Sequence, residues 1–292
     1  MGDSPTSPSR AAALLALHAA VLLFGFAGLF GKWLALPPVL IVLGRTVVAA
    51  AALAALRALL GRKRERFDVR LVGTGAVLAL HWVAFFAAIQ VSSVAIGLLG
   101  YASFPLFVLV LERWLFRRRW TAREAATALL VTAGLVLLVP ELSLANRAVQ
   151  GLGWGVLSGF TFALLTVLNR RFGATRDAID VALWQNLWAA VALLPLALVA
   201  GSLPPVTWRD AGLLLVLGVA CTAAAHTLFI ASLRTASAHT ASVVAALEPV
   251  YGMALALLLL GEVPDTRTLA GAGLLVTAAV VASRRIGVRE PA

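Results

Sequence analysis

Ala245-Ala246-Leu247-Glu248-Pro249-Val250-Tyr251 sets an acid and a proline inside an apolar run. Around Glu248 only Ser242 and Tyr251 interrupt the apolar residues over about eight positions on either side. A carboxylate at that depth is costly in hydrocarbon, so by default it marks a functional site. Proline lacks the backbone donor a helix needs and kinks or breaks the helix that contains it. The run continues to Leu258-Leu259-Leu260-Gly261-Glu262. A degenerate copy, Ser103-Phe104-Pro105-Leu106, lies upstream.

The chain around this stretch has 292 residues, 61% of them hydrophobic and 13% charged. Soluble domains are about 45–50% apolar and about 25% charged, so the composition is that of a polytopic membrane protein. A net charge of +11 would suit nucleic acid. The basic residues instead cluster in short gaps between apolar runs, which argues against that partner. The single cysteine, Cys221, allows no intramolecular disulfide and no cysteine-based metal site. The first apolar run is long for a signal-peptide core and lacks an evident cleavage site, so it reads as an uncleaved first helix.

A helix crosses a bilayer with about 20 apolar residues. Ten stretches qualify: 11–31, 38–60, 70–89, 93–116, 122–140, 148–168, 180–201, 209–231, 238–260 and 267–284. The gaps leave no room for a soluble domain. Ten spans put both ends on one side. With the ends inside, 19 Lys and Arg residues fall on the cytoplasmic side and 4 outside, namely Lys32, Arg147, Arg209 and Arg267, with Arg45 left within span 2. The positive-inside rule therefore places both termini in the cytoplasm.

Internal repeats refine the expectation. His81-Trp82-Val83-Ala84-Phe85 precedes His226-Thr227-Leu228-Phe229-Ile230 by 145 residues. Phe104-Pro105 precedes Glu248-Pro249 by 144, and Leu129-Leu130-Val131-Thr132-Ala133 recurs identically after 145 as Leu274-Leu275-Val276-Thr277-Ala278. The predicted fold class is all-α integral membrane: ten transmembrane helices as two five-helix repeats, residues 11–140 and 148–285, between cytoplasmic tails 1–10 and 286–292. Five is odd, so the second copy enters from the opposite side. Inverted repeats of this kind are a ground plan of secondary transporters, with the solute near the midplane between the halves.

Two five-helix halves, Leu247-Glu248-Pro249 in span 9 and Leu258-Leu259-Leu260-Gly261-Glu262 at its end resemble the EamA family of the drug/metabolite transporter superfamily. Phe104-Pro105-Leu106-Phe107 with Leu111-Glu112 looks like the matching first-half element, and the likeness covers about residues 11–285. The family often repeats Gly-Glu at the end of span 4, where this chain has Arg117-Arg118-Arg119. The resemblance implies an inner-membrane carrier, usually an exporter of amino acids or other small metabolites, and does not fix the solute.

The polar residues within the spans are the candidate solute-binding groups. Glu248, expected in the middle of span 9, reads either as a binding or proton-coupling carboxylate or as a structural acid beside Pro249. Arg45 reads as a partner for a solute carboxylate, or as a residue that snorkels outward or pairs with a protein acid. His81 and His226 occupy corresponding places, where proton coupling and hydrogen-bonded packing are both open. Trp82 and Tyr101 are the deepest aromatic candidates. Gln185 and Asn186 in span 7 either line the path or bond between helices. Asn169 reads as interfacial, and Glu262, Asp265 and Arg267 as a solvated outer turn. Pro105 and Pro249 are candidate hinges.

There is no phosphate-binding loop, zinc-protease motif or nucleophile elbow. No metal or cofactor is expected. The leading reading is therefore a secondary transporter rather than an enzyme, with a small-molecule solute, the lipid bilayer and protons as partners, as a monomer or homodimer. A membrane-embedded enzyme, a passive scaffold, and other organic solutes or drugs are the alternatives.

Overall fold

The computed structural model describes residues 10–62, 68–116, 121–138, 143, 145–173, 176–199, 204–233, 244–245 and 247–283. Among them every long element is a helix. In chain order these are α1 (Arg10–Trp33), α2 (Pro38–Leu59), α3 (Arg70–Val91), α4 (Val94–Tyr101), α5 (Phe104–Phe116), α6 (Ala122–Leu137), α7 (Arg147–Gly173), α8 (Ala178–Val199) and α9 (Trp208–Gly218). A π-helical turn, Val219–Ala224, then leads into α10 (Ala225–Ser232), followed by α11 (Glu248–Leu260) and α12 (Thr266–Ser283).

Seven stretches among the described residues are long and apolar enough to cross a membrane: Ala12–Trp33, Pro38–Leu59, Arg70–Val91, Val94–Leu111, Arg147–Asn169, Ala178–Val199 and Trp208–Ser232. The apolar helices Ala125–Leu137 and Glu248–Leu260 are shorter. A helix thus lies within each of the ten stretches expected, although much of 238–247 falls outside the described residues. Leu15, Leu129, Leu198 and Leu258 point outward and are exposed. Such side chains are at home in hydrocarbon, and the chain is a multi-pass membrane protein.

Two spans are less regular than their sequence suggests. The fourth is broken at Ala102-Ser103, and Pro105 falls in the first turn of α5. The eighth carries the π-helical turn at its centre. Pro249 likewise lies in the first turn of a helix, where its missing N–H is no loss. Glu248 is therefore the first residue of α11, not the middle of a continuous helix. Its position is a helix start because proline fits the first turn and fits the interior poorly.

The helices pack in a matched set of pairs. α3 lies against α7, α2 against α8, α4 against both α7 and α11, and α6 against α12. α1 packs on α10 and α11, and α2 also touches α9 and the π-helical turn. Close crossings occur at glycines. A Cβ on Gly271 would come 3.0 Å from the Gly134 carbonyl oxygen, so the small residues of α12 serve packing against α6 within the chain. The central core contains Phe30, Phe86, Tyr101, Phe104, Phe162 and Phe229.

One end of the molecule is tied by ion pairs between the α2–α3 and α7–α8 connections. Arg57 meets Asp180 at 3.0 Å, Arg62 meets Asp177, and Asp68 binds both Arg70 at 2.7 Å and Arg176 at 3.5 Å. The hydrogen bond from Arg70 holds the Asp68 carboxyl down at about 2, below its unfolded value of about 3.9. A depressed carboxylate adds stability above its unfolded pKa and loses it as pH falls through the folded one. Asp68→Asn is expected to lower thermal stability at neutral pH by about 1 kcal/mol or less. The gap should close between about pH 4 and about pH 2 in thermal unfolding of the purified protein.

Candidate functional site

A cavity in the middle of the bundle is walled by aromatic side chains from five helices. Phe24 of α1, Trp82 and Phe85 of α3, Tyr101 of α4, Phe162 of α7 and Phe229 of α10 all face it. They interlock: Tyr101 lies 5.2 Å from both Phe104 and Phe162, and Phe162 lies 5.4 Å from Phe229. Within the cavity about 30 Å³ admits the centre of a water molecule. That is room for a few waters and for nothing much larger.

Two ionisable side chains project into this apolar chamber. Arg45, from α2, is fully buried. Its Nε donates to Thr222 Oγ1 at 2.8 Å and its Nη2 to the Cys221 carbonyl at 3.1 Å. Its guanidinium carbon lies 4.1 Å over the Trp82 ring, a favourable seat for a cation. Nη1 is buried without a hydrogen-bond partner. Arg45 therefore does not snorkel outward: the π-helical turn binds it in the interior.

Glu248, from the start of α11, is 2% exposed and is the one carboxylate lining the cavity among the described residues. The Tyr101 hydroxyl lies beside it, while Oε2 is left without a partner. α11 can come this close because α1 offers Gly25, where a Cβ would stand 3.1 Å from the Glu248 carbonyl oxygen. Leaving a buried polar atom unpaired costs about 1–3 kcal/mol, and more for a charged group. A cation donor and a carboxylate oxygen left open in one chamber are complementary to a ligand with an acceptor at one place and a donor at another.

His81 and His226 both face the cavity. Their partners differ. His81 Nδ1 lies 3.0 Å from the hydroxyl and the carbonyl of Ser158, whereas His226 Nδ1 lies 3.5 Å from Asn186 Nδ2. Gln185 and Asn186 are fully buried but stand behind the wall. Gln185 donates to Asn169 at 2.6 Å, and Asn186 to the Ala182 carbonyl at 2.8 Å. Asn169, read from sequence as interfacial, is 2% exposed and lines the cavity. Its neighbour Arg170 suggested a boundary, but α7 runs on to Gly173.

Sequence reasoning also missed Phe162, Phe229 and Thr222. The two phenylalanines are apolar residues in apolar spans and carry no distinguishing signal. Thr222 was a polar residue within span 8, and that was the available hint. The side chain of Glu112 lies outside the described residues. Among the described residues no group of three or more His, Cys, Asp or Glu side chains is placed to hold a metal ion.

Glu262 is not simply solvated. Gly261, at φ +68°, ends α11 in the left-handed conformation. Glu262 then accepts the Val94 backbone N–H at 3.0 Å and caps α4 from the other half of the chain. Lys32 donates to the Ser92 carbonyl at 2.9 Å and Arg147 to the Val91 carbonyl at 2.8 Å. The α3–α4 break is thus held by three charged residues from three other elements. Glu262→Ala removes one capping acceptor and is expected to cost about 1 kcal/mol. The check is thermal unfolding together with faster hydrogen exchange at the Val94 amide.

The comparisons with known proteins agree with this architecture. The model of the EamA-like transporter family matches twice, over residues 11–139 and 149–284. An uncharacterised transporter of Bacillus subtilis, YxxF, is 24% identical over 270 residues, covering 90% of this chain and 86% of that protein. The pseudopaline exporter CntI of Pseudomonas aeruginosa is 27% identical over 215 residues, covering 72% of this chain and 73% of its own. A solved crystal structure shares the fold with a TM-score of 0.72 at 21% identity, covering 96% of this chain and all of the other.

Proposed function

The chain belongs to the EamA-like transporter family, and from that premise we propose that it exports a small zwitterionic metabolite, of amino-acid type, across the inner membrane by alternating access. It is a membrane transporter; the solute, the direction and the cycle are the proposal. One observation carries the solute class: Arg45 Nη1 and Glu248 Oε2 are buried without partners in one aromatic chamber. A carboxylate satisfies the first, an ammonium the second, and the aromatic walls accept the apolar body between them. An organic cation would meet Arg45 uncompensated, and an organic anion would meet Glu248.

The cycle rests on an inverted pair of five-helix halves with both termini in the cytoplasm. Exchanging the halves turns the α3–α7 contact into the contact between α10 and α1, and returns α2–α8 and α6–α12 to themselves. His81 and His226 face the same cavity under that exchange. The double family match and this pairing both support the duplication. Pro105 and Pro249, each in the first turn of a helix after an interruption, are the hinges about which one half rocks on the other. Glu248 exchanges solute ammonium for a proton, which couples export to the proton gradient.

Reconstituted liposomes test this directly. Radiolabelled L-amino acids, organic amines without a carboxylate, and organic acids without an amine are compared with and without a pH gradient. The zwitterions are expected to move, and to accumulate against their gradient when the pH gradient is imposed. Flux of amines or acids alone would overturn the solute class. Flux indifferent to the pH gradient would remove the proton from the cycle.

A further inference from the structure

We propose that Thr222, in the π-helical turn of span 8, is the positioning residue that turns Arg45 into the receptor for an anionic oxygen of the solute; this rests on the central cavity being the solute site. The backbone supplies the first part of the device. In an α-helix the Ala225 N–H would bond the Cys221 carbonyl, four residues back. Here the Ala225 N–H reaches instead to Ala220 and Thr222. The Cys221 carbonyl has lost that donor, and it accepts from Arg45 Nη2 at 3.1 Å.

Thr222 supplies the second part. Its hydroxyl donates to the Leu217 carbonyl, five residues back, at 2.7 Å. With its proton committed there, Thr222 Oγ1 presents lone pairs to Arg45 Nε, which it meets at 2.8 Å. Two of the three guanidinium nitrogens are then fixed and the plane rests over Trp82. A guanidinium is rigid, so fixing two nitrogens fixes the third. Nη1 is the nitrogen left over, buried and without a partner. The closeness of α2 to this turn depends on Gly218, where a Cβ would stand 2.5 Å from Val48 Cγ1 and 3.1 Å from the Arg45 carbonyl oxygen.

A brace between α2 and span 8 has no need of an open donor. A ligand oxygen would complete this one. The structure therefore assigns the carboxylate end of the solute to Nη1 and the ammonium end to Glu248. Orientation is set by the π-helical turn, which ordinary helical geometry would not provide.

The test compares binding of each proteinogenic L-amino acid with binding of its carboxamide, which keeps the ammonium and loses the anion. Thermal-shift titrations use the full chain in detergent, as wild type, Thr222→Val and Thr222→Ser. Wild type is expected to bind the best amino acid about 30-fold more tightly than its amide, the range of a buried charge-assisted contact. Thr222→Val should bring that ratio within about 3-fold while the amide binds as before, and Thr222→Ser should restore it. If Thr222→Val keeps the wild-type ratio while remaining folded, Arg45 is a structural brace and the inference falls, with the transport reading intact. If wild type binds amino acid and amide equally, the anion receptor falls and the cavity remains a solute site. If no amino acid binds wild type, the zwitterion reading falls and the inference with it.

Discussion

Glu248→Gln is expected to lower solute flux by about 100-fold while expression and folding stay normal. The size follows from geometry. The variant keeps the shape of the side chain and removes the charge that an ammonium or a proton would meet. Loss of one partner in a desolvated charge pair costs about 2–5 kcal/mol, and about 2.7 kcal/mol is 100-fold. Stability should be unchanged or slightly raised, because a buried carboxylate with an open oxygen is itself a burden on the fold. The measurement is amino-acid flux in proteoliposomes normalised to reconstituted protein, beside a thermal melt of the same preparation. Normal flux would remove Glu248 from the cycle. Lost flux accompanied by aggregation would make it a structural acid.

Gly155→Leu is expected to abolish folding. Gly155 of α7 faces Gly100 of α4, and a Cβ on it would stand 2.9 Å from the Gly100 Cα and 3.0 Å from the Gly97 carbonyl oxygen. Both obstacles are backbone, so no side chain can swing aside. Overpacking of this kind costs about 3 kcal/mol, and here the displaced helix carries Tyr101, which lines the cavity with Glu248. Gly153→Leu on the same helix is the control, since a Cβ there meets nothing within 4 Å. The comparison of yield, monodispersity and melting temperature should separate the two variants sharply. Equal behaviour would mean that α4 and α7 are not crossed at these glycines.

Much of the architecture was legible in the sequence, and the reason is physical. Hydrocarbon forces apolar runs of set length and leaves basic residues at their ends, so the spans show in composition alone. Arg45, His81, Trp82, Tyr101, His226 and Glu248 stood out because a polar or amphipathic group is conspicuous in such a run, and all six line one cavity. What the sequence hid was of another kind. Phe162 and Phe229 differ from lipid-facing phenylalanines only in the direction they point. The π-helical turn comes from a backbone register that no residue in Val219–Ala224 announces. Asn169 was misread because its neighbours are charged, although its own side chain turns inward. Glu262 was misread because a cap from another element cannot be seen along the chain.

If solute sits in the central cavity, a thiol placed at Thr166 will feel it. Thr166 is buried and lines the cavity. The sole cysteine, Cys221, offers Arg45 a backbone carbonyl, so Cys221→Ala removes the thiol and keeps that acceptor. In that background Thr166→Cys is exposed to a hydrophilic thiol reagent in proteoliposomes, with and without a saturating concentration of the transported amino acid. The thiol is expected to be labelled during turnover, and the amino acid is expected to protect it. Labelling that ignores the amino acid, or a thiol never reached from either side, would contradict that placement of the solute.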